Sequence, residues 1–285
     1  MTIQRYILYL IGVVMAVNAA AQTTYQRADS VKICKLLLQA PQEKGNVTLW
    51  MARQFLGIPY VAHTLEVNDK EQLVVNTRQM DCTTLVETVT ALTLCAQQGK
   101  KTFADYAEML RKLRYRQGCL DGYPSRLHYF TDWIDDKQLM GIVDEIQNPN
   151  PPFTAIQKIV VSYMSEHPQA YNALKDHPEF VSVIRQQEKS LTGKTYRYIP
   201  KTAVKNTKLL RQTIHDGDII AITCNKKGLD IAHLGFAVWH RDGLHMLNAS
   251  SIHKKVVEEP MTLFRYLQKH SSFTGIRIVR YSNKQ

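Results

Sequence analysis

Residues 80–95 read MDCTTLVETVTALTLC, a short polar segment that runs into an apolar one. Apolar side chains recur along it at helical spacing, which predicts a helix over residues 82–97 with one buried face. Asp81 is a good N-cap residue, so Cys82 falls at the first helical position. There the unpaired backbone N–H groups and the helix dipole favour a thiolate over a thiol. Cys82 is therefore a candidate nucleophile, and the alternative is a small buried thiol.

The start of the chain predicts an export signal. Arg5 precedes an apolar run over residues 6–17, and Ala19-Ala20-Ala21 offers a cleavage site. The run is too short to span a membrane comfortably, and no cysteine stands at the cleavage point to carry a lipid. We therefore expect residues 1–21 to be removed from a periplasmic or secreted monomer that has no stable membrane anchor.

Composition restricts the class of protein. Residues 22–285 are the right length for a single domain, and 36 Lys and Arg against 25 Asp and Glu give a net charge of +11. The basic residues are scattered without a nucleic-acid-binding signature, so we expect no nucleic-acid partner. Anionic cell-wall or membrane partners and a merely solvated basic surface remain equally good accounts. The five cysteines are too few for a disulfide scaffold, and their odd number leaves one unpaired.

The periodicity changes from helical to strand-like along the chain. Predicted helices cover residues 28–39, 47–56, 82–97, 103–116, 127–139, 153–164 and 178–190. Predicted strands cover residues 218–223, 233–239, 244–248 and 276–281. Helices first and an antiparallel sheet second predict an α+β fold.

A thiol nucleophile needs a base, and the base needs an orienting partner. His233 begins one predicted strand, and Asn248 ends the next, beyond the turn at Asp242-Gly243. Antiparallel pairing would bring the two together at one end of the sheet. The sequence thus predicts a Cys82–His233–Asn248 set in the chain order of papain-like enzymes.

These segments resemble the NlpC-type papain-like cell-wall cysteine hydrolases. Residues 81–86 are similar to that superfamily's D-C-S-G-L-V motif, residues 233–236 to H-V-G-I, and residues 247–250 to I-H-A-S. Residues 216–220 resemble its G-D-L-V segment, and residues 57–60 resemble a segment whose tyrosine lines the site.

A branch of N-acetylmuramoyl-L-alanine amidases is the more specific resemblance. Residues 125–133 and 228–233 look like marks of that branch, which carries a long helical insertion between Cys and His, here at about residues 100–195. Thr84 stands in place of the usual glycine, and Asn248 in place of a second histidine. The resemblance implies a papain-like core, and these departures speak against the usual endopeptidase specificity.

The candidate substrate-binding residues have alternative interpretations. Tyr60 suits a cleft wall or the core, and Asp81 and Thr83 flank the nucleophile. A predicted helix carries Arg126, His128, Tyr129 and Trp133, which suit a substrate with sugar and carboxylate groups or an ordinary amphipathic helix. Asp230 either caps a turn or holds substrate. Ten histidines show no zinc-binding spacing, so we predict no metal site and no cofactor.

The sequence supports several functions. The first is an amidase that cuts the N-acetylmuramoyl–L-alanine bond of peptidoglycan or of released muropeptides. The second is an endopeptidase that cuts after γ-D-glutamate in the stem peptide. A cell-wall binding protein with a disabled site, and a transglutaminase-like acyl transferase, are the other two.

Overall fold

The computed structural model describes residues 23–40 and 46–282, so the predicted export signal lies outside the described residues. The helices in these ranges are α1 Arg27–Gln39, α2 Val47–Arg53, α3 Cys82–Gln97, α4 Phe103–Arg114, α5 Phe130–Leu139, α6 Tyr163–Glu166, α7 Asn172–Asp176, α8 Glu179–Leu191, α9 Lys208–Thr213 and α10 Leu263–Gln268. The strands are β1 Thr23–Thr24, β2 Leu73–Val74, β3 Val143–Ile146, β4 Ala155–Lys158, β5 Thr195–Pro200, β6 Ile219–Cys224, β7 Ile231–Trp239, β8 Leu244–Ser250, β9 Lys255–Glu258 and β10 Phe273–Tyr281.

The main sheet is antiparallel and confirms the predicted mixture of helices with an antiparallel sheet. Its strands follow the order β4-β5-β10-β6-β7-β8-β9, and β3 also pairs with β10, beyond the end of β5. The centre of the sheet, β6 to β8, is built from neighbours in sequence joined by short turns. This meander sets β7 and β8 side by side, as the sequence predicts.

Both faces of the central strands are buried. In β6, Ile219 and Ala221 belong to the apolar core shared with α3, whereas Ile220 and Ile222 belong to the core shared with α9 and α10. Successive side chains of a strand point to opposite faces, so a continuous apolar strand is what two covered faces require.

α3 is the most deeply buried of the described helices. The Asp81 carboxylate caps its N-terminus by accepting from the Thr84 N–H at 2.8 Å. Nearly every residue from Thr84 to Cys95 is buried, because α1, α2 and α4 cover the sides that do not face the sheet. The helix is thus buried on more than the one face that the sequence predicts, and its buried Glu87 is paired with Arg114 at 2.8 Å.

The long segment between α3 and β7 is not purely helical, which corrects part of the prediction. Residues 153–164 form β4 and only the start of α6, and α5 begins at Phe130 rather than at 127. β4 pairs with β5, and that pairing supplies the hydrogen bonds that a helix would have made internally. The segment has an apolar core of its own, which includes Tyr129, Met164 and Ile184.

A close approach between β7 and β8 requires a glycine at position 235. A Cβ atom added to Gly235 would lie 2.6 Å from the Leu247 carbonyl oxygen and 2.6 Å from Met246 Cγ. The carbonyl is part of the backbone and cannot move without parting the strands. Gly235 therefore allows β7 to lie close to β8, near the ends of the strands that carry His233 and Asn248.

We expect Gly235→Ala to lower the free energy of unfolding by about 3 kcal/mol, the upper end of the usual cost of overpacking. Gly99→Ala is the matched control, since its added Cβ meets nothing within 4 Å. It should cost only the strain of a left-handed backbone, about 1 kcal/mol. Urea unfolding of both variants makes the comparison, and equal losses at the two positions would contradict the close approach.

Candidate active site

Cys82 lies at the first position of α3, half-buried, with its helix end fixed by a reciprocal cap. The Asp81 N–H donates to Thr84 Oγ1 at 2.9 Å, while the Asp81 carboxylate accepts from the Thr84 N–H. The threonine that replaces the glycine of related motifs thus closes a capping box. This cap fixes the direction in which the first turn presents Cys82.

The electrostatics of Cys82 differ from what its helix position suggests. Burial, reinforced by the charge of Asp81, raises the pKa of the Cys82 thiol to about 12. Hydrogen bonds from the Leu234 backbone and from Thr83 act in the opposite direction and are outweighed. Burial and the Asp81 charge thus shift the pKa of Cys82 toward the thiol, opposite to the effect expected from the helix N-terminus.

His233 and Asn248 meet across β7 and β8. His233 Nε2 lies 3.0 Å from Asn248 Oδ1, and Asn248 Nδ2 donates to the Met246 carbonyl at 3.4 Å. Because the amide oxygen can only accept, Nε2 carries the ring proton and Nδ1 keeps its lone pair. Asn248 is fully buried, which makes this hydrogen bond well shielded from water. Burial also lowers the pKa of His233, so the ring is neutral at pH 7.

A cleft of about 160 Å³ brings Cys82 and His233 together. Its lining includes both residues, the start of β7 and the segment that leads into α5. The Leu234 backbone is close enough to the Cys82 sulfur to lower the pKa of the thiol, so the sulfur lies near the residue that follows His233. Within residues 23–40 and 46–282 there is no hydrogen bond between the thiol and the imidazole, as is common before substrate binds.

Three of the predicted substrate-binding residues lie around the nucleophile. Asp81 caps the helix, Thr83 lines the cleft, and Tyr60 stands close to the thiol. Burial, with the charges of Cys82 and Asp81 adding to it, raises the pKa of Tyr60 to about 12. The Tyr60 N–H donates to the Lys254 carbonyl at 2.9 Å, which ties its loop to the turn before β9.

The opposite wall holds three more of the predicted residues. His128, Tyr129 and Asp230 all line the cleft. The Tyr129 hydroxyl donates to Glu188 Oε1 at 2.7 Å, and Asp230 Oδ2 accepts from the Thr131 N–H at 2.7 Å. Asp230 therefore caps α5 from a distance, a role that neither the turn cap nor the substrate contact expected from the sequence describes.

Arg126 and Trp133 do not line the cleft that holds Cys82 and His233. Arg126 precedes α5 and lines a separate cavity of about 630 Å³, where its guanidinium makes two hydrogen bonds to Glu71. Glu71 holds this guanidinium in that cavity, and Arg126 is not among the residues that line the cleft of Cys82 and His233. Trp133 is 1 % exposed and stacks on Phe130 at 4.9 Å in the core, so it cannot stack on a sugar.

Sequence reasoning missed Glu188 and Tyr171. Glu188 is 2 % exposed, and its Oε1 also accepts from the Met164 and Ser165 N–H groups, which fixes the start of α6 beside the cleft. Tyr171 lines the cleft. Both belong to the segment between α3 and β7, where only the apolar periodicity was informative.

Residues 23–40 and 46–282 hold no group of three or more His, Cys, Asp or Glu side chains placed to bind a metal ion. In the same ranges no helix has the length and apolar character needed to cross a membrane.

The raised pKa of Cys82 predicts how the thiol reacts. Alkylation by iodoacetamide should rise with pH from about pH 6 to pH 9 without a plateau, because a pKa near 12 leaves the thiol protonated there. Peptide mass spectrometry gives the rate at Cys82, with the exposed Cys119 as the internal reference. Asp81→Asn keeps a capping side chain but removes the charge, and should accelerate labelling. A plateau near neutral pH would show a stored thiolate instead.

Comparison with known proteins places this site in a family. Residues 50–276 match the model of the AmiA-like family, whose description is N-acetylmuramoyl-L-alanine amidase-like. An N-acetylmuramoyl-L-alanine amidase from Bacteroides uniformis is 42 % identical, with a TM-score of 0.77 over 83 % of this chain and 99 % of that one. A putative xylanase from Bacteroides fragilis is also 42 % identical, with a TM-score of 0.75 over 81 % and 99 %.

A protein from Legionella pneumophila is 23 % identical, with a TM-score of 0.69 over 93 % of this chain and 97 % of that one, which shows a shared fold. No curated protein matches the sequence. The family match and the Bacteroides structures together cover the cap, the nucleophile position and the β7–β8 pair. The chain belongs to the AmiA-like, N-acetylmuramoyl-L-alanine amidase-like family.

Proposed function

We propose that this chain is an exported peptidoglycan amidase that hydrolyses the bond between N-acetylmuramic acid and L-alanine. Its nucleophile is Cys82, its base is His233, and Asn248 orients the base. The observation that carries this proposal is the His233 Nε2–Asn248 Oδ1 hydrogen bond at 3.0 Å in a cleft that also holds Cys82. The family match supports the amide bond as the one cut.

The mechanism begins from a neutral pair. His233 Nδ1 removes the proton from the Cys82 thiol as the sulfur attacks the lactyl carbonyl carbon. Proton transfer and attack must be closely coupled, because burial disfavours both the thiolate and the imidazolium. The Asn248 carbonyl oxygen accepts from Nε2–H and stabilises the imidazolium that forms.

The remaining steps return the site to its starting state. The Cys82 N–H, in the first turn of α3, is a donor for the oxyanion, and the Tyr60 hydroxyl is a second. His233 protonates the leaving nitrogen of L-alanine, and the C–N bond breaks to leave a thioester. Water, deprotonated by His233, attacks the thioester and frees the muramyl carboxylate and the thiol. No cofactor takes part in this scheme.

The order of elements supports a papain-like NlpC core. α3 presents the nucleophile at its N-terminus, and the base and its partner follow on adjacent antiparallel strands. We include this core, and export after removal of residues 1–21, in the proposal. The full chain has a net charge of +11, and loss of Arg5 with residues 1–21 leaves +10, which suits an anionic wall polymer as partner.

A glycosidase is the alternative suggested by the name of one structural neighbour. Glycoside hydrolysis ordinarily uses two carboxyl groups that flank the scissile bond. Among the described residues that line the cleft, Asp230 is the one carboxylate, and it is occupied in capping α5. The cleft therefore favours acyl transfer at a thiol over sugar hydrolysis.

The bond that is cut can be identified from its products. A defined disaccharide-tetrapeptide should yield a free tetrapeptide with an L-alanine N-terminus and an intact disaccharide, weighed by mass spectrometry. A product that keeps L-Ala-γ-D-Glu on the sugar would identify the endopeptidase. A substrate that is bound but never cut would identify the non-catalytic wall-binding protein, and transfer to an added amine would identify the acyl transferase.

The roles of the three residues predict an order of damage. Cys82→Ala and His233→Ala should each lower kcat/KM at least about 1,000-fold, because nucleophile and base act as a unit. Asn248→Ala should do less harm, since the third member only fixes tautomer and orientation. Cys119→Ala, at an exposed thiol, is the control and should keep wild-type activity. If Asn248→Ala proved the least active of the three, the assigned roles would be wrong.

A further inference from the structure

The side chain of His128 is held in one orientation at the wall of the cleft. Its Nε2 lies 3.1 Å from the Tyr123 carbonyl oxygen, and its ring centroid lies 4.4 Å from that of Tyr123. A carbonyl oxygen only accepts, so Nε2 carries the proton and Nδ1 keeps a lone pair. Burial, with the charge of Arg126 adding to it, lowers the pKa of His128 to about 3, so the ring stays neutral near pH 7.

The lone pair on His128 Nδ1 has no protein partner. Across residues 23–40 and 46–282 nothing hydrogen-bonds this nitrogen, and it is not among the unpaired polar atoms sealed in the interior. The neighbouring polar side chains of the wall are engaged: Tyr129 donates to Glu188, and Asp230 accepts from the Thr131 N–H. When substrate displaces water from the cleft, Nδ1 needs a donor, because an unpaired acceptor in a desolvated wall is costly.

We propose that His128 Nδ1 accepts a hydrogen bond from an amide N–H of the muramyl peptide and selects substrates that carry it. This rests on the proposed amidase function. Two such N–H groups flank the carbonyl that is attacked: the acetamido N–H of the sugar and the N–H of the scissile amide. Either would meet a neutral acceptor that stands in the same cleft as Cys82 and His233. His128 is thus a specificity-determining residue and takes no part in proton transfer.

The test measures kcat/KM for wild type and His128→Phe on three substrates. The first is N-acetylmuramoyl-L-alanyl peptide; the second carries an acetoxy group in place of the acetamido group; the third is the ester with L-lactate in place of L-alanine. On the first, His128→Phe should lose about 10- to 100-fold, the size expected when a desolvated donor is left unpaired. Each of the two analogues lacks one N–H group, and one of them therefore lacks the N–H that His128 binds. On that analogue, kcat/KM of wild type and of His128→Phe should differ by less than about threefold.

His128→Asn tests the same hydrogen bond in a second way. Its amide oxygen lies near the position of Nδ1, so it should recover part of the loss on the first substrate. The pH profile of kcat/KM should keep its shape in both variants, because the neutral ring does not titrate in that range. His240→Ala, at an exposed histidine beyond the far end of β7, is the matched control and should behave as wild type on all three substrates.

Equal losses on all three substrates would show a merely structural role and overturn the inference, as would a His128→Phe protein with undiminished selectivity. If His128→Phe does not fold, the ratios for His128→Asn decide. These outcomes leave the amidase function standing. A wild-type protein that cuts none of the three substrates, or cuts further along the stem peptide, would instead refute the proposed function and this inference with it.

Discussion

The packing of α3 against β7 and β8 is the interaction on which the rest of the structure depends. α3 is buried on all sides, so its position is fixed by contacts with the sheet and with three helices at once. Its N-terminus reaches the start of β7, and the same contacts that form the core therefore set Cys82 beside His233. Close-packed interiors are hard to compress, so the relative position of Cys82 and His233 is as rigid as the core that sets it. The Asp81–Thr84 cap then fixes the first turn of α3, which carries Cys82.

That packing also decides the charge state of the nucleophile. A helix N-terminus stabilises a thiolate, but it does so through partial charges that act over the first turn. Removing the thiol from water opposes this, and in this cleft desolvation and the nearby Asp81 carboxylate prevail. His233 is likewise neutral because it is buried. In the proposed mechanism the site stores no ion pair, and charge develops only when a substrate carbonyl is attacked and the oxyanion donors bind it.

The sequence predicted what local patterns and neighbouring strands determine. The α3 cap, the β6–β8 meander and the meeting of His233 with Asn248 all follow from short-range signals, and the structure confirms them. What failed depends on distant partners. The sequence of β4 has a helical pattern, but the segment is a strand because it pairs with β5, some forty residues later in the chain. The sequence makes Trp133 a candidate for stacking on a sugar, but the core surrounds it. It makes Arg126 a candidate for binding a substrate carboxylate, but Arg126 is paired with Glu71.

Distant capping also explains why the cleft wall was hard to foresee. α5 and α6 have no capping side chain of their own at the N-terminus. Asp230, beside β7, caps α5, while Glu188, from α8, receives the first N–H groups of α6 and the Tyr129 hydroxyl. The unpaired N–H donors of a helix end stabilise each carboxylate. Asp230 joins the segment between α3 and β7 to the sheet, whereas Glu188 joins two parts of that segment to each other. Because Asp230 lies three residues before His233, the hydrogen bond that caps α5 also joins the wall of the cleft to the strand that carries His233.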